Sequence, residues 1–195
     1  MHTNHDEFLL RLKKGPAFLL LGQQYLKLET GRDPFLSEGL RKYAPGVEPV
    51  SYDDFFRAEI SGDTEAALAW LGERSRRIVS PEWLEFVSEF AWSGVYTSAI
   101  DTMLKRVFRK DWREIYPIYD ERVRPIDPRN RIQLHCTYLF GNVEITEETK
   151  RPPFSKFEYA KRKGVAARLL NRLSEDVTPL GSLIIEGYAG DEDWL

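Results

Sequence analysis

Short runs of consecutive hydrophobic residues alternate along this chain with longer stretches of helical spacing. The run at 17–21 (AFLLL) is continuous and of strand length, and a similar run at 182–188 ends in glycine and tyrosine. Such runs are typical of strands buried on both faces of a parallel sheet. A third run, at 94–97, leads through small polar residues into an amphipathic helix that continues to residue 108. Strand-to-helix transitions of this kind indicate an α/β protein.

Helical spacing dominates the region between the first two strand runs. The stretches 53–60, 64–77 and 81–90 each place apolar residues on one face, with Ser80 as an expected N-cap and Pro81 in the first turn. A block over about 36–92 is too long for a simple crossover, so we expect a helical insertion after the first strand. A long helix is also predicted over 157–174.

The order of these elements predicts the fold class. Further strand candidates are 113–118 and 132–138, and the alternating part of the second ends on His135. We therefore predict one α/β domain over 1–195, a Rossmann-like parallel sheet with helices on both faces. The last residues, 190–195, resemble a loop or the start of a helix, so we expect the sequence to be the N-terminal part of a longer chain.

Composition narrows the function classes. The chain has 195 residues, 42% hydrophobic content and a net charge of −3, which argues against a broad nucleic-acid-binding face. Its single cysteine, Cys136, excludes a disulfide framework and a cysteine-rich zinc site. Without a membrane-length apolar run or the order of a signal peptide, we expect a cytoplasmic protein that binds neither membrane nor nucleic acid through this domain.

Four loops that follow strand runs are expected to meet at one crevice, namely 22–24, 97–101, 134–136 and 187–191. A glycine after the first strand lets the backbone approach a phosphate. The three-glycine dinucleotide fingerprint is absent, which argues against a standard dehydrogenase site.

The titratable residues of these loops each have two interpretations. His135 is either a hydrogen-bonded structural histidine or a general base. Asp101 and Asp191 either complement a helix start or grip ribose hydroxyls. Cys136 is best interpreted as a buried, inert thiol. No second histidine is placed to form a metal pair, so no metal is predicted.

The segments 18–22, 96–101, 134–136 and 184–188, in this order, resemble the SIR2 (sirtuin) superfamily. They are most similar to the SIR2-like effector domains at the N-terminus of bacterial anti-phage defence proteins of the SIR2-STAND type. In that family a glycine loop and a helical insertion precede a Thr-Thr-Asn-x-Asp-type segment, a Leu-His-Gly segment and a late strand ending in Gly-Tyr with an acidic residue. The resemblance covers about 17–195.

The resemblance implies hydrolysis of the nicotinamide–ribose bond of NAD as an abortive-infection response. The family's deacetylases need an acyl-lysine channel and often a four-cysteine zinc module, which a chain with one cysteine lacks. NAD is the implied substrate, with no metal. The resemblance also implies a homo-oligomer controlled by a phage-derived trigger that the rest of a longer protein senses.

The family's site residues carry over by position. His135 would be the base, and Ala99 stands where the family has a catalytic asparagine. The residues expected to hold NAD are Ser98 and Asp101 at the nicotinamide ribose, Gly22 and Gln23 at the pyrophosphate, and Gly187 and Asp191 at the adenosine half.

Three departures from the family pattern affect this expectation. Alanine at position 99 can neither donate nor accept a hydrogen bond, Cys136 replaces a glycine, and residues 22–25 depart from the usual glycine loop. Position 99 indicates either a natural pseudoenzyme or an engineered Asn→Ala change, and the intact surroundings favour the engineered change. The alternative function is a non-catalytic sensor of NAD or another nucleotide, or an assembly module.

Overall fold

The chain folds around a five-stranded, all-parallel β-sheet. The computed structural model describes residues 10, 15–23, 27–28, 42–43, 59–60, 62–122, 130, 132–177 and 181–188. In chain order the strands are β1 (Ala17–Leu21), β2 (Lys27–Leu28), β3 (Ile78–Val79), β4 (Gly94–Thr97), β5 (Glu114–Ile118), β6 (Gln133–Tyr138) and β7 (Ser182–Glu186). The main sheet has the order β5-β6-β4-β1-β7, and β2 pairs with β3 in a separate antiparallel ribbon.

Four helices are described: α1 (Thr64–Ser75), α2 (Glu82–Ser88), α3 (Met103–Phe108) and α4 (Lys156–Val177). Helix α1 begins where the Asp63 carboxylate accepts hydrogen bonds from the backbone N–H groups of Glu65 and Ala66, a standard N-cap. Helix α2 begins one residue later than the sequence predicts. Pro81, expected in the first turn, is itself the N-cap residue, and its backbone is extended.

The sheet is covered by helices on its two faces. Alternate strand residues, among them Phe18, Tyr96 and His135, line a cavity together with Leu169 and Arg172 of α4. Cys136 points to the opposite face because adjacent strand residues alternate. On that face Arg113 lies near the Cys136 thiol and donates to the carbonyl of Phe108, the last residue of α3. The predicted class, a Rossmann-like parallel sheet flanked by helices, is confirmed.

Strand β7 differs from the prediction of a fully buried strand. It pairs with β1, but the side chains of Leu183 and Ile185 are 38% and 52% exposed. Its apolar run therefore belongs to an edge strand of the described sheet. The expected insertion over 36–92 contains α1 and α2 but also β3, and most of residues 36–58 lie outside the described part of the chain.

Strand β1 approaches the end of β7 so closely that only glycine fits at position 22. The Gly22 N–H donates to the Glu186 carbonyl at 2.8 Å, and a Cβ at position 22 would lie 2.0 Å from the Gly187 carbonyl oxygen. Gly187 itself has φ of +80°. The glycine after the first strand is thus explained by strand packing, without a phosphate.

We expect Gly22→Ala to lower the free energy of unfolding by about 2–4 kcal/mol, because backbone atoms must move to admit the methyl group. Gly164→Ala is the matched control. Gly164 lies within α4, and a Cβ at position 164 would lie 3.7 Å from its nearest neighbour, the guanidinium of Arg168. There alanine should stabilise by about 0.5–1 kcal/mol. Urea unfolding of both variants checks the pair, and an unchanged stability for Gly22→Ala would contradict the close approach.

Candidate functional site

The carboxyl ends of β1, β4 and β7 meet at one edge of the sheet. The Ser98 N–H donates to the Leu21 carbonyl at 3.1 Å, and Gly22 is bonded to Glu186. Six of the predicted site residues lie at this carboxyl edge: Gly22, Gln23, Ser98, Ala99, Asp101 and Gly187. Asp191 lies outside the described residues. Since ligands of open α/β sheets bind at such edges, this is the candidate site.

The carboxyl edge is closely packed. Ser98, Ala99 and Asp101 are each 1% exposed, and Gln23 is 7% exposed. The N–H groups of Gly22 and Ser98 are both used in bonds to neighbouring strands. These two N–H groups are therefore not available to bind a phosphate. The expectation that the backbone at Gly22 approaches a phosphate is not met in this conformation.

The segment after β4 forms a hydrogen-bonded turn into α3. The Thr97 hydroxyl oxygen accepts from the Ala99 N–H at 2.9 Å. The Asp101 Oδ1 atom accepts from the Met103 N–H at 2.5 Å, and the Thr102 N–H donates to the Ser75 hydroxyl at 2.9 Å. Asp101 thus contacts the start of a helix, which is the first of its two sequence-based interpretations.

Two acceptors at this edge have no partner among the described residues. The Asp101 Oδ2 atom and the Gln23 Oε1 atom are both buried and lack a hydrogen bond within the described part of the chain. Burial raises the pKa of Asp101 to about 6, although its bond from Met103 and the charge of Arg106 act in the opposite direction. The edge therefore contains unused hydrogen-bonding capacity, which is costly when buried.

The structure does not bring His135 to the carboxyl edge. Strand β6 continues for three residues beyond it, so the expectation that 134–136 forms a loop after a strand is wrong, although the strand ends at Tyr138 as predicted. His135 pairs with Tyr116, and Thr97, the last residue of β4, pairs with Tyr138. At about 3.3 Å per residue, His135 lies roughly 10 Å from the end of the strand. Burial, and then the nearby Arg172, lower its pKa.

A segment that the sequence-based interpretation missed, 139–142, takes the place expected for His135. The Leu139 N–H donates to the Thr97 carbonyl at 2.8 Å, and the Asn142 Nδ2 donates to the Asp101 carbonyl at 2.7 Å. Phe140 is fully buried and stacks on Tyr159, with ring centroids 5.8 Å apart. The Gly-Asn pair at 141–142 directly after an apolar run was the available signal.

A buried arginine fixes the end of β6. The Arg162 guanidinium donates to the carbonyls of Tyr138 at 2.6 Å, Leu139 at 2.7 Å and Thr149 at 2.9 Å. Burial lowers its pKa to about 10, so it remains charged at neutral pH. It therefore holds the 139–142 segment against Thr97 and Asp101.

Cys136 has the environment of an inert thiol. Its side chain is fully buried on the α3 face of the sheet. Burial raises the pKa of this thiol to about 12, and the nearby Arg113 lowers it only in part. Because the thiolate is the nucleophilic form, Cys136 is excluded as a nucleophile at neutral pH.

The described residues contain no group of three or more His, Cys, Asp or Glu side chains that could hold a metal ion. None of the helices in the described part of the chain is both long enough and apolar enough to span a bilayer. Compared with protein-family models and with curated protein sequences, the chain matches none.

Asp101 predicts a specific pH dependence of stability. Its folded-state pKa of about 6 exceeds the ordinary value of 3.8, so the folded state holds the proton more tightly and loses stability as pH rises between these values. Relative to the parent, Asp101→Asn should gain about 3 kcal/mol of unfolding free energy between about pH 4 and pH 8. Urea unfolding of both proteins measures this difference, and a difference independent of pH would refute the assignment.

Proposed function

We propose that this chain is a SIR2-like domain without NAD turnover, acting as a non-catalytic module that binds NAD or a related nucleotide. One observation carries the proposal: the segment bonded to Thr97 and Asp101 at the carboxyl edge is 139–142, whereas His135 lies three residues back along β6. A SIR2-type reaction at this edge would lack both the asparagine and the histidine that the resemblance implies.

The register of the β6 segment supports this interpretation. In the family that the chain resembles, a Leu-His-Gly segment follows the Thr-Thr-Asn-type segment, and the loops that match these segments are expected to meet at one crevice. Leu139, Phe140 and Gly141 stand there in this chain, with Leu139 bonded to Thr97. If 139–141 is aligned with the family's Leu-His-Gly segment, Gly141 matches the glycine of that segment. In the alignment of 134–136 a cysteine stands at that position. A phenylalanine ring offers no group that could move a proton.

Natural loss now explains the sequence better than an engineered change does. A single engineered substitution accounts for Ala99 but not for Phe140 or the altered loop at 22–25. Both side chains are buried, at 1% and 0% exposure, in a closely packed edge. The two positions fit a domain whose catalytic groups were replaced by packing groups.

The unpartnered acceptors favour retained binding over a purely structural role. Asp101 Oδ2 and Gln23 Oε1 would both be satisfied by the hydroxyl groups of a ribose. Since Ser98 and Asp101 are buried, the edge must open before a nucleotide enters. The observed affinity is then reduced by the fraction of molecules in the open form.

The biological setting is part of the same proposal and rests on the SIR2 resemblance. We propose that the domain works in a homo-oligomeric anti-phage defence protein in the cytoplasm, in which another part of the protein senses the phage-derived trigger. NAD hydrolysis by this domain is the competing function. It is favoured by the intact Thr97, Ser98 and Asp101 around the alanine.

Nicotinamide release from NAD distinguishes the two functions. We expect no release by the parent or by Ala99→Asn, because restoring one amide leaves Phe140 in place. If Ala99 were the sole defect, Ala99→Asn would regain on the order of 10²-fold in rate. The assay is run at high protein concentration so that assembly-dependent activity is detected. Release by Ala99→Asn that is lost again with His135→Ala would overturn the proposal.

Calorimetric titration with NAD and ADP-ribose tests whether the domain binds a nucleotide. We expect saturable binding by the parent and at least about tenfold weaker binding by Asp101→Asn, which loses a charged acceptor. Asp111→Asn is the control, since Asp111 is an exposed residue in the turn before β5. The absence of binding by the parent, or equal weakening in both variants, would contradict a nucleotide site at the carboxyl edge.

A further inference from the structure

A separate cavity lies between α4 and the face of the sheet that carries Tyr96 and His135. Its volume is about 90 Å³, and Pro16, Ser93 and Gly94 mark its position at the starts of β1 and β4. The sheet contributes His135 and Tyr96, and α4 contributes Leu169, Arg172 and Asp176 from its last turns. Because a water needs about 10–15 Å³ of such space, the cavity has room for several waters or one small molecule.

The wall formed by the sheet is rich in hydrogen-bond donors. The Thr137 hydroxyl is bonded to the phenol of Tyr96, and burial together with the nearby Asp176 raises the pKa of that phenol to about 12. Tyr96 therefore keeps its proton at neutral pH. The buried Nε2 atom of His135 has no hydrogen-bond partner within the described residues. A neutral histidine can present this atom as N–H.

The wall formed by α4 carries the charges. Arg172 acts electrostatically on both His135 and Tyr96, and thus lies near the two groups. Asp176, one helical turn further on, also lines the cavity, and burial raises the pKa of its carboxyl. Five lining side chains carry hydrogen-bond donors, whereas Asp176 supplies the single carboxylate of the lining, and the nearby Arg172 acts on that carboxyl in the direction opposite to burial.

The remaining lining is apolar. Phe18 from β1, Ile118 from β5 and Leu169 from α4 border the same space. A ligand that fits must therefore combine hydrogen-bond acceptors at one end with a small apolar part. Small carboxylates have this composition, and a guanidinium is a preferred partner of the carboxylate group.

We propose that this cavity binds a small carboxylate, whose oxygens accept hydrogen bonds from Arg172, Tyr96 and the Nε2 of His135. The alkyl part of the ligand rests against Phe18 and Leu169. The Nε2 of His135 is buried, so the imidazole turns on binding and the ligand then supplies its missing partner. This site is separate from the nucleotide site proposed above, because none of the residues that line the cavity belongs to the carboxyl-edge set.

Acetate is the probe, and acetamide, which has the same shape without the charge, is its control. His135 reports binding through the NMR signals of its imidazole, and His2 and His5 in the N-terminal segment are internal references. The His135→Gln variant assigns the signal. We expect acetate to shift the His135 signal in a saturable way while acetamide and chloride at equal ionic strength leave it unchanged.

Two arginine substitutions on α4 locate the site. Arg172→Gln should weaken acetate binding by at least about tenfold, since it removes a charged donor. Arg168→Gln, which changes an exposed arginine one turn earlier that pairs with Glu121, should bind acetate as the parent does. The proposal is overturned by a His135 signal that does not saturate, by an equal response to acetamide, or by equal weakening in the two arginine variants.

Discussion

The burial of β1 is the constraint on which the rest of the structure depends. Each of its five side chains is at most 4% exposed, and the strand pairs with β4 on one side and β7 on the other. At about 1.5–3 kcal/mol for each large apolar side chain, this burial fixes the strand at the centre of the sheet. The register then places Leu21 beside both Thr97 and Glu186. The carboxyl edge exists because these three strand ends are held level.

Local patterns predicted the elements, but not how far each one extends. The run at 17–21 and the helical spacing over 157–174 are strong signals, and both elements formed. The strand predicted over 132–138 ends at Tyr138 as expected, but His135 was wrongly placed at a strand end, because the residues from Cys136 to Tyr138 are buried on both faces. Alternation of polar and apolar residues therefore stops at His135, although the strand itself continues. The order of the strands in the sheet makes β7 an edge strand. This order depends on pairing between segments far apart in the sequence, which local patterns do not predict.

The candidate site was predictable to the level of strand ends, but not to the level of hydrogen bonds. Gly22, Ser98, Asp101 and Gly187 follow strand runs, so their common edge could be inferred from the alternation of strands and helices. The two interpretations of Asp101 could not be separated in advance. A carboxylate that caps a helix and one that grips a ribose occupy the same place in a sequence. The hydrogen bonds of the two carboxylate oxygens distinguish these interpretations. Oδ1 accepts from the Met103 N–H at the start of α3, whereas Oδ2 has no partner among the described residues and is the oxygen left for a ligand.

The burial of Cys136 has a practical consequence for work in solution. The only cysteine of the chain lies beneath the sheet with a thiol pKa of about 12, so it reacts slowly with maleimides and iodoacetamide at neutral pH. A cysteine introduced at an exposed position would then carry a fluorophore or spin label by itself. Two such labels on opposite ends of the sheet could follow an opening of the carboxyl edge by distance measurements, with the native thiol left in place.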